Sequence, residues 1–394
     1  MVPSTTSWNE YPIEGSSYSL GWIVNVLKER NAIDFSQKDI SEVSVSNINE
    51  GNGFVSQILR ICTSLRSGTE YSVIFKVPDA KLIEEAFHGV VQDANSEYFN
   101  REIEFYQAFL RHLTIPLPRI YKTILWVSGE ESGGLLMEDL SKSCHIQSVS
   151  DGLNLDQLRA IAGHLADLHN SFLSLPADER DMLSKNFAVL DKCIEFRTEL
   201  FAAKVAELCE EHPEMFEKKL GSLIELLKDP NFHRYSSANL SETFGTPRVP
   251  VHGDLWSNNI LWKNKNPAEV GAFLDWQGFF VGNLAFDLSR ILVLCTSASI
   301  RRAHTEDVLL HYYASLQNPE FSMETLRILV LETIPYQCAH MIFVVRLLES
   351  SYTAKELEEM LDRKSQFIAH TSFSRLNHSM SSPTMTLKRA EWFT

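Results

Sequence analysis

The stretch Val251-His252-Gly253-Asp254-Leu255-Trp256-Ser257-Asn258-Asn259-Ile260-Leu261-Trp262 most narrows what this chain can fold into. It holds H-G-D-x-x-x-x-N, with Asp254 and Asn259 five residues apart, and runs straight into an apolar strand pattern. Phe273-Leu274-Asp275-Trp276-Gln277 follows, and Asp275 closes a second short apolar run 16 residues after Asn259. Paired as a hairpin, the two runs bring Asp254, Asn259 and Asp275 to one end. Two carboxylates and a carboxamide then present only oxygen donors, a set suited to hard Mg2+ together with water and phosphate oxygens. Phosphoryl transfer asks for such a set: one Asp near the acceptor hydroxyl, and an Asp plus an Asn holding Mg2+ against the phosphates.

The sequence before this stretch divides in two. Trp22, Ile23, Val26 and Leu27 share one face of a helix over 20–27. Val43, Val45 and Ile48 alternate with polar residues, the turn Glu50-Gly51-Asn52-Gly53 follows, and 54–65 and 71–77 read as two further strands. Three strands in sequence joined by short turns predict an antiparallel meander. A helix is expected over 95–113, broken by Pro116 and Pro118, and then two strands near 119–127 and 134–137. Beyond about 141 the pattern turns helical, over 155–173, 190–228 and 284–370, with a polar loop at 230–248 and a β-rich stretch at 249–275. The expected division is a nucleotide-binding N-lobe over 1–140, a helical C-lobe over 141–370 and a Ser/Thr-rich tail over 371–394.

H-G-D-x-x-x-x-N followed by a strand-borne Asp resembles the catalytic loop and metal-binding Asp of protein-kinase-like phosphotransferases. His-Gly-Asp in the loop, and Asp-Trp in place of Asp-Phe-Gly, are closer to the aminoglycoside/choline kinase superfamily. Within it, HGDLWSNNILW and FLDWQGFFVGNLAFDLSRIL resemble the CHK-kinase-like, ecdysteroid-kinase-like family. The resemblance covers roughly residues 40–370. It implies an α+β, bilobal protein-kinase-like fold with a small antiparallel β-rich N-lobe and a larger helical C-lobe. It also implies ATP and Mg2+ as cofactors and a small-molecule hydroxyl acceptor. Asp254 takes the catalytic position, and Asn259 and Asp275 the metal positions.

That resemblance directs attention to other residues. Ser72, Ile74 and Lys76 share one face of the third strand, opposite Val73, Phe75 and Val77. Alone, Lys76 reads as a solvated strand lysine; with the downstream motif it becomes the candidate for the α/β-phosphates. Among the helix carboxylates, position 102 is surrounded by Asn95, Tyr98, Phe99, Tyr106 and Phe109, while Glu104 shares its face with Glu97, Arg101, Ala108 and Arg111. Glu102 is therefore expected on the packed side, and the family's E-x-x-x-Y glutamate matches it as the partner of Lys76. Gly51 and Gly53 stand where kinases fold a glycine-rich loop over ATP, although an ordinary Asn-Gly hairpin turn accounts for them equally well. Leu135-Leu136-Met137-Glu138-Asp139-Leu140 resembles the hinge strand, with backbone from Glu138 to Leu140 available to adenine, or else a buried strand end. His252 reads as a structural hydrogen-bonder and His169 as a packed or capping residue. Asp287 either braces the catalytic loop or caps a helix. Trp256, Trp276, Phe279 and Phe280 read as core before acceptor pocket.

Two local features argue against a protein acceptor. Trp256 stands two residues after Asp254, where protein kinases commonly place Lys. Asp275 and Asp287 are only 12 residues apart, too few for a peptide-docking activation segment. A net charge of −15 argues against an unassisted grip on nucleic acid or an anionic membrane. No apolar run approaches the ~18 residues of a membrane span. The six cysteines are scattered without a C-x-x-C pair, and residues 1–12 lack a signal-peptide pattern. A cytoplasmic monomer is the expectation, with no nucleic-acid or membrane partner. Two other functions compete: a pseudokinase-type nucleotide-binding module without turnover, and a metal-dependent hydrolase built on His252, Asp254 and Asp275.

Overall fold

The computed structural model describes residues 7–49, 56–79, 95–127 and 132–347, apart from the side chains of 95 and 215–219. Gly51, Gly53 and the tail 371–394 lie outside the described residues. Two compact units are formed, Met1–Leu110 with Leu117–Ser143, and Arg111–Pro116 with Cys144–Thr394. The short segment 111–116, expected to stay with the first lobe, belongs to the second unit.

In the first unit, helix α1 (Leu20–Glu29) starts where the Ser19 hydroxyl accepts the Trp22 N–H at 3.3 Å. Its apolar face, Leu20, Ile23, Val24, Val26 and Leu27, is buried. A five-stranded antiparallel sheet has the order β1-β2-β3-β5-β4, with β1 Ile40–Asn47, β2 Ser56–Leu65, β3 Glu70–Pro78, β4 Ile120–Ile124 and β5 Gly134–Glu138. Strand β3 is central, pairing Lys76 with Ile58 on one side and Leu135 on the other. Val73, Phe75 and Val77 pack with Leu59, Ile61, Leu136 and α1 into one core. Helix α2 (Asn95–Phe109) ends in a single 3-10 turn, Leu110–His112, so the expected run to 113 is shorter as regular helix. The Asn100 side-chain amide ties α2 to the backbone of Trp126, its Oδ1 accepting the Trp126 N–H at 2.7 Å and its Nδ2 donating to the Trp126 carbonyl at 3.0 Å.

The second unit is mainly helical. It contains α3 (Leu155–Leu173), α4 (Ala177–Asn186), α5 (Asp191–Glu211), α6 (Pro213–Leu227), α7 (Phe286–Leu294), α8 (Ala298–Ser315) and α9 (Met323–Leu347). A three-stranded sheet joins β6 (Cys144–Ile146), β8 (Ile260–Lys263) and β9 (Asn266–Phe273), and a two-stranded one joins β7 (Arg248–Val251) with β10 (Phe280–Asn283). The helix expected over 190–228 is two helices, because His212 leaves the helical conformation and Pro213 restarts it. The loop expected over 230–248 is instead mostly helical turns, capped at the start by Asp229, whose side chain accepts the Asn231 N–H at 2.9 Å. Phe232 and Leu240 there are fully buried, and a π-turn spans Tyr235–Asn239. The polar composition concealed an inward apolar face. Helix α4 and strand β6 form where no separate element is expected from the sequence.

Helix α9 has no uninterrupted apolar run of membrane-spanning length, yet its mean hydropathy is high. By length and composition alone, Met323–Arg346 is long and apolar enough to cross a membrane. Most of it is buried, packed against α5 and α7, with Thr333, Gln337 and His340 among its inward residues. It is the central core helix of its unit.

Candidate active site

The H-G-D loop is shaped by backbone. Gly253 sits at φ +79, and a Cβ there would meet the Gly278 carbonyl oxygen at 2.1 Å. Only glycine permits both the conformation and the contact. The loop is braced by Asp287 on α7, whose Oδ2 accepts the His252 N–H at 2.7 Å and whose Oδ1 accepts the Gly253 N–H at 3.1 Å. Bracing is therefore its function here, since the turn that starts α7 takes no side-chain cap from it. His252 closes the other side. Its Nε2 donates to the Leu274 carbonyl at 2.8 Å, its Nδ1 accepts the Asp254 N–H at 3.3 Å, and its ring lies 4.5 Å from that of Trp276. The histidine is a structural joint between the loop and the strand leading to Asp275.

The hairpin does what the spacing implied. Ile260 pairs with Phe273, and the Leu274 N–H bonds the Asn259 carbonyl at 2.9 Å, so Asn259 and Asp275 leave the same end. Asp275 adopts φ 65, ψ 61, a left-handed conformation that costs a non-glycine residue free energy and recurs at functional sites. The Asn259 Nδ2 donates to the Asp254 carbonyl at 2.8 Å and to Asp254 Oδ2 at 3.3 Å. That leaves the amide oxygen of Asn259 as its donor to a cation. Among the described residues, no group of three or more His, Cys, Asp or Glu could hold a metal ion. The oxygen set of Asn259 and Asp275 fits an ion such as Mg2+ that takes its other ligands from water and phosphate.

Electrostatics set Asp254 apart. Burial pushes its carboxyl up to about 6, against the downward pull of Arg290 and with Asp275 adding to the rise. Burial likewise pushes the Asp287 carboxyl up to about 6, opposed by the two loop N–H groups. The Arg290 guanidinium, fully buried on α7, bonds Asp254 Oδ1. No sequence pattern flagged Arg290; the one available signal was a cation inside the apolar run of α7.

In the first unit the expected ion pair is formed. Lys76 Nζ lies 2.7 Å from Glu102 Oε2, and both side chains are buried. Glu104 is exposed, whereas Arg101, assigned to the same watery face, is buried. The Glu138 N–H is taken by the Arg119 carbonyl at 2.9 Å, and the Leu140 carbonyl accepts the Ser143 N–H at 3.0 Å. Beside them Asp139 pairs with Arg60 at 3.2 Å, a contact with no sequence signature. Trp276, Phe279 and Phe280 are core. His169 is a packed residue: its Nδ1 meets the Tyr312 hydroxyl at 2.7 Å and its Nε2 the Pro250 carbonyl at 3.1 Å.

Buried neutral imidazoles make the second unit acid-sensitive. Burial lowers His169 to about 3, and His233 and His252 to about 4. The unfolded chain takes up these protons near pH 6.5, whereas the fold refuses them. Their stabilisation is therefore complete above that pH and lost as the pH falls towards 4. Asp254 and Asp287 act in the opposite sense but are fewer. We expect stability to drop by about 1 kcal/mol or more per pH unit below pH ~6. Thermal unfolding midpoints measured between pH 7.5 and 5 check this, and a midpoint that rises on acidification contradicts it.

A family model described as "Uncharacterized oxidoreductase dhs-27" (DUF1679) matches residues 58–326, about two-thirds of the chain. The chain belongs to this family. Of the Caenorhabditis elegans proteins similar to it, "Uncharacterized oxidoreductase dhs-27" is 24% identical over 324 residues, 78% of this chain and 38% of that protein. "Uncharacterized kinase-like protein D1044.1" is 28% identical over 259 residues, 62% of this chain and 65% of that protein. The chain thus spans less than two-thirds of either relative. Among solved structures, the GDP complex of an aminoglycoside 2'-phosphotransferase-IIIa variant superposes with a TM-score of 0.52 at 14% identity, covering 90% of this chain and 99% of that one. At that identity the likeness concerns the fold, which is protein-kinase-like, α+β, with an antiparallel sheet in its N-lobe and a helical C-lobe.

Proposed function

We propose that the chain is an ATP-dependent small-molecule kinase, transferring the γ-phosphate of MgATP to a hydroxyl of a small organic acceptor. The observation carrying this reading is the braced loop: Asp287 holds two backbone N–H groups and thereby presents Asp254 beside Asn259, at the hairpin end that also bears Asp275. The kinase-like relative and the phosphotransferase fold support it. The oxidoreductase name of the other relative belongs to a protein of which this chain matches 38%.

In the proposed reaction the acceptor oxygen forms a bond to the γ-phosphorus as the bond to the β–γ bridging oxygen breaks, and ADP leaves. The hydroxyl proton passes to Asp254. Mg2+, when bound, would neutralise charge on the phosphate oxygens. Asn259 and Asp275 would hold it, Lys76 would meet the α/β-phosphates, and Glu102 would keep that ammonium in place. Backbone near Glu138 and Leu140, and the Gly51/Gly53 turn, are the proposed contacts to the base and phosphates. Positioning and charge stabilisation would supply most of the acceleration. Ecdysteroid-like alcohols, xenobiotic conjugates and amino alcohols are the acceptor classes proposed. A monomer acting in the cytoplasm, without nucleic acid or membrane, completes the proposal.

The test is an ATP-consumption screen with Mg2+ against sterols, glycosides, amino alcohols and aminoglycosides, with the phosphorylated product identified by mass. Acceptor-dependent ADP formation is the expected result. Tight MgATP binding with no phosphorylation of any hydroxyl compound would replace the kinase by a nucleotide-binding module.

A further inference from the structure

Arg290 is a full cation with no exposure to solvent, on the third position after Asp287 in α7. Taking a guanidinium out of water is costly unless each end finds a partner. Here both ends do. One terminal nitrogen bonds Asp254 Oδ1, and the other bonds His340 Nδ1 on α9. Arginine only donates, so Nδ1 of His340 must be the acceptor and the ring must be neutral there. The His340 ring lies 5.0 Å from Phe201 of α5, at 31° to it, which fixes the imidazole plane. Asp254 is thus gripped from behind by a chain running through α7, α9 and α5.

The grip is asymmetric. Oδ1 of Asp254 receives the guanidinium, a charge-assisted bond from a buried donor. Among the described residues Oδ2 receives only the Asn259 amide, at a long 3.3 Å. About a quarter of the Asp254 side chain is still exposed. A carboxylate so held has one oxygen engaged and one only loosely bonded.

We propose that Arg290, with His340 behind it, is a positioning residue that locks the Asp254 carboxylate and leaves Oδ2 as the oxygen that meets the acceptor hydroxyl. This rests on the phosphotransferase reading above and adds to it the oxygen that takes the proton and the residues that orient it. The proton leaves the hydroxyl for Oδ2 as the oxygen–phosphorus bond forms. Arg290 keeps its own protons throughout and touches neither acceptor nor nucleotide.

The test is a kinetic double-mutant cycle between Arg290→Gln and Asp254→Asn, followed with the best acceptor from the screen. Arg290→Gln should lower kcat by about 10²-fold, the cost of a misplaced reacting group, with the KM for MgATP unchanged. Arg290→Lys, which keeps the charge but reaches one partner only, should recover part of the rate. In the Asp254→Asn background, Arg290→Gln should cost nothing further, because it acts through Asp254. Since Arg290→Gln removes a buried cation, His340→Leu provides a second probe that spares the Arg290–Asp254 bond, and a smaller loss in kcat with the same unchanged KM is expected. Full kcat in folded Arg290→Gln, or full kcat in His340→Leu should Arg290→Gln not fold, overturns the positioning role and leaves the kinase reading standing. Equal losses in both backgrounds of the cycle also overturn it. A wild-type protein with no transfer to any acceptor takes down both.

Discussion

Asp254→Asn should reduce phosphoryl transfer by on the order of 10²–10⁴-fold, the range of general-base contributions. The amide is nearly isosteric with the carboxylate. Its oxygen can still accept from the Arg290 guanidinium, so the grip on the loop is kept, and Asp287 still holds the His252 and Gly253 N–H groups. What the amide cannot do is take a proton. MgATP affinity should therefore stay close to that of the wild type, because Asp275 and Lys76 are untouched and Asn259, though it loses its long bond to Oδ2, keeps its 2.8 Å bond to the carbonyl of residue 254. Calorimetric titration with MgATP and steady-state ADP release measure the two quantities separately. Wild-type turnover in this variant would remove Asp254 from the mechanism.

Glu102→Gln should destabilise the first unit by about 3–5 kcal/mol, because it removes the carboxylate charge that lies 2.7 Å from the buried Lys76 ammonium. The two groups are 2.7 Å apart and almost wholly withdrawn from water. Replacing both together, as Lys76→Met with Glu102→Leu, removes the charges along with their desolvation cost. That pair should regain most of the lost stability. It should not regain nucleotide affinity, because no cation remains on β3 for the phosphates. Denaturant unfolding and MgATP titration of the two variants beside the wild type separate the structural role of the pair from its proposed role in binding. Wild-type MgATP affinity in the double variant would assign the pair to stability alone.

Much of this was legible because it depends on neighbours along the chain. Alternation identified β1, β2 and β3, and helical spacing put Glu102 rather than Glu104 on the packed side. The Asp254–Asn259 and Asn259–Asp275 intervals implied a hairpin end, which the Ile260–Phe273 register forms. Arg101 escaped this logic, since helical phase ranks a face by its apolar residues and a buried arginine is ranked with the wrong side. Segment 230–248 escaped it as well, because its serines and asparagines scored as loop while Phe232, His233 and Tyr235 turned inward. Helix α9 is apolar enough for a bilayer and lies in a core, a distinction that hydropathy does not make.

The order of residues along the chain sets the chemistry on offer: an H-G-D loop, an asparagine five residues on from its aspartate, a second aspartate closing a strand, and a lysine and glutamate on successive elements. Their spacings are local and obey the periods of helix and strand. How the carboxylate at 254 is held depends instead on contacts between elements distant along the chain. Arg290 and His340 lie 36 and 86 positions away from it in sequence. Their bonds arise because three helices pack around one buried cation, and a cation withdrawn from water must take whatever acceptors the packing brings to it.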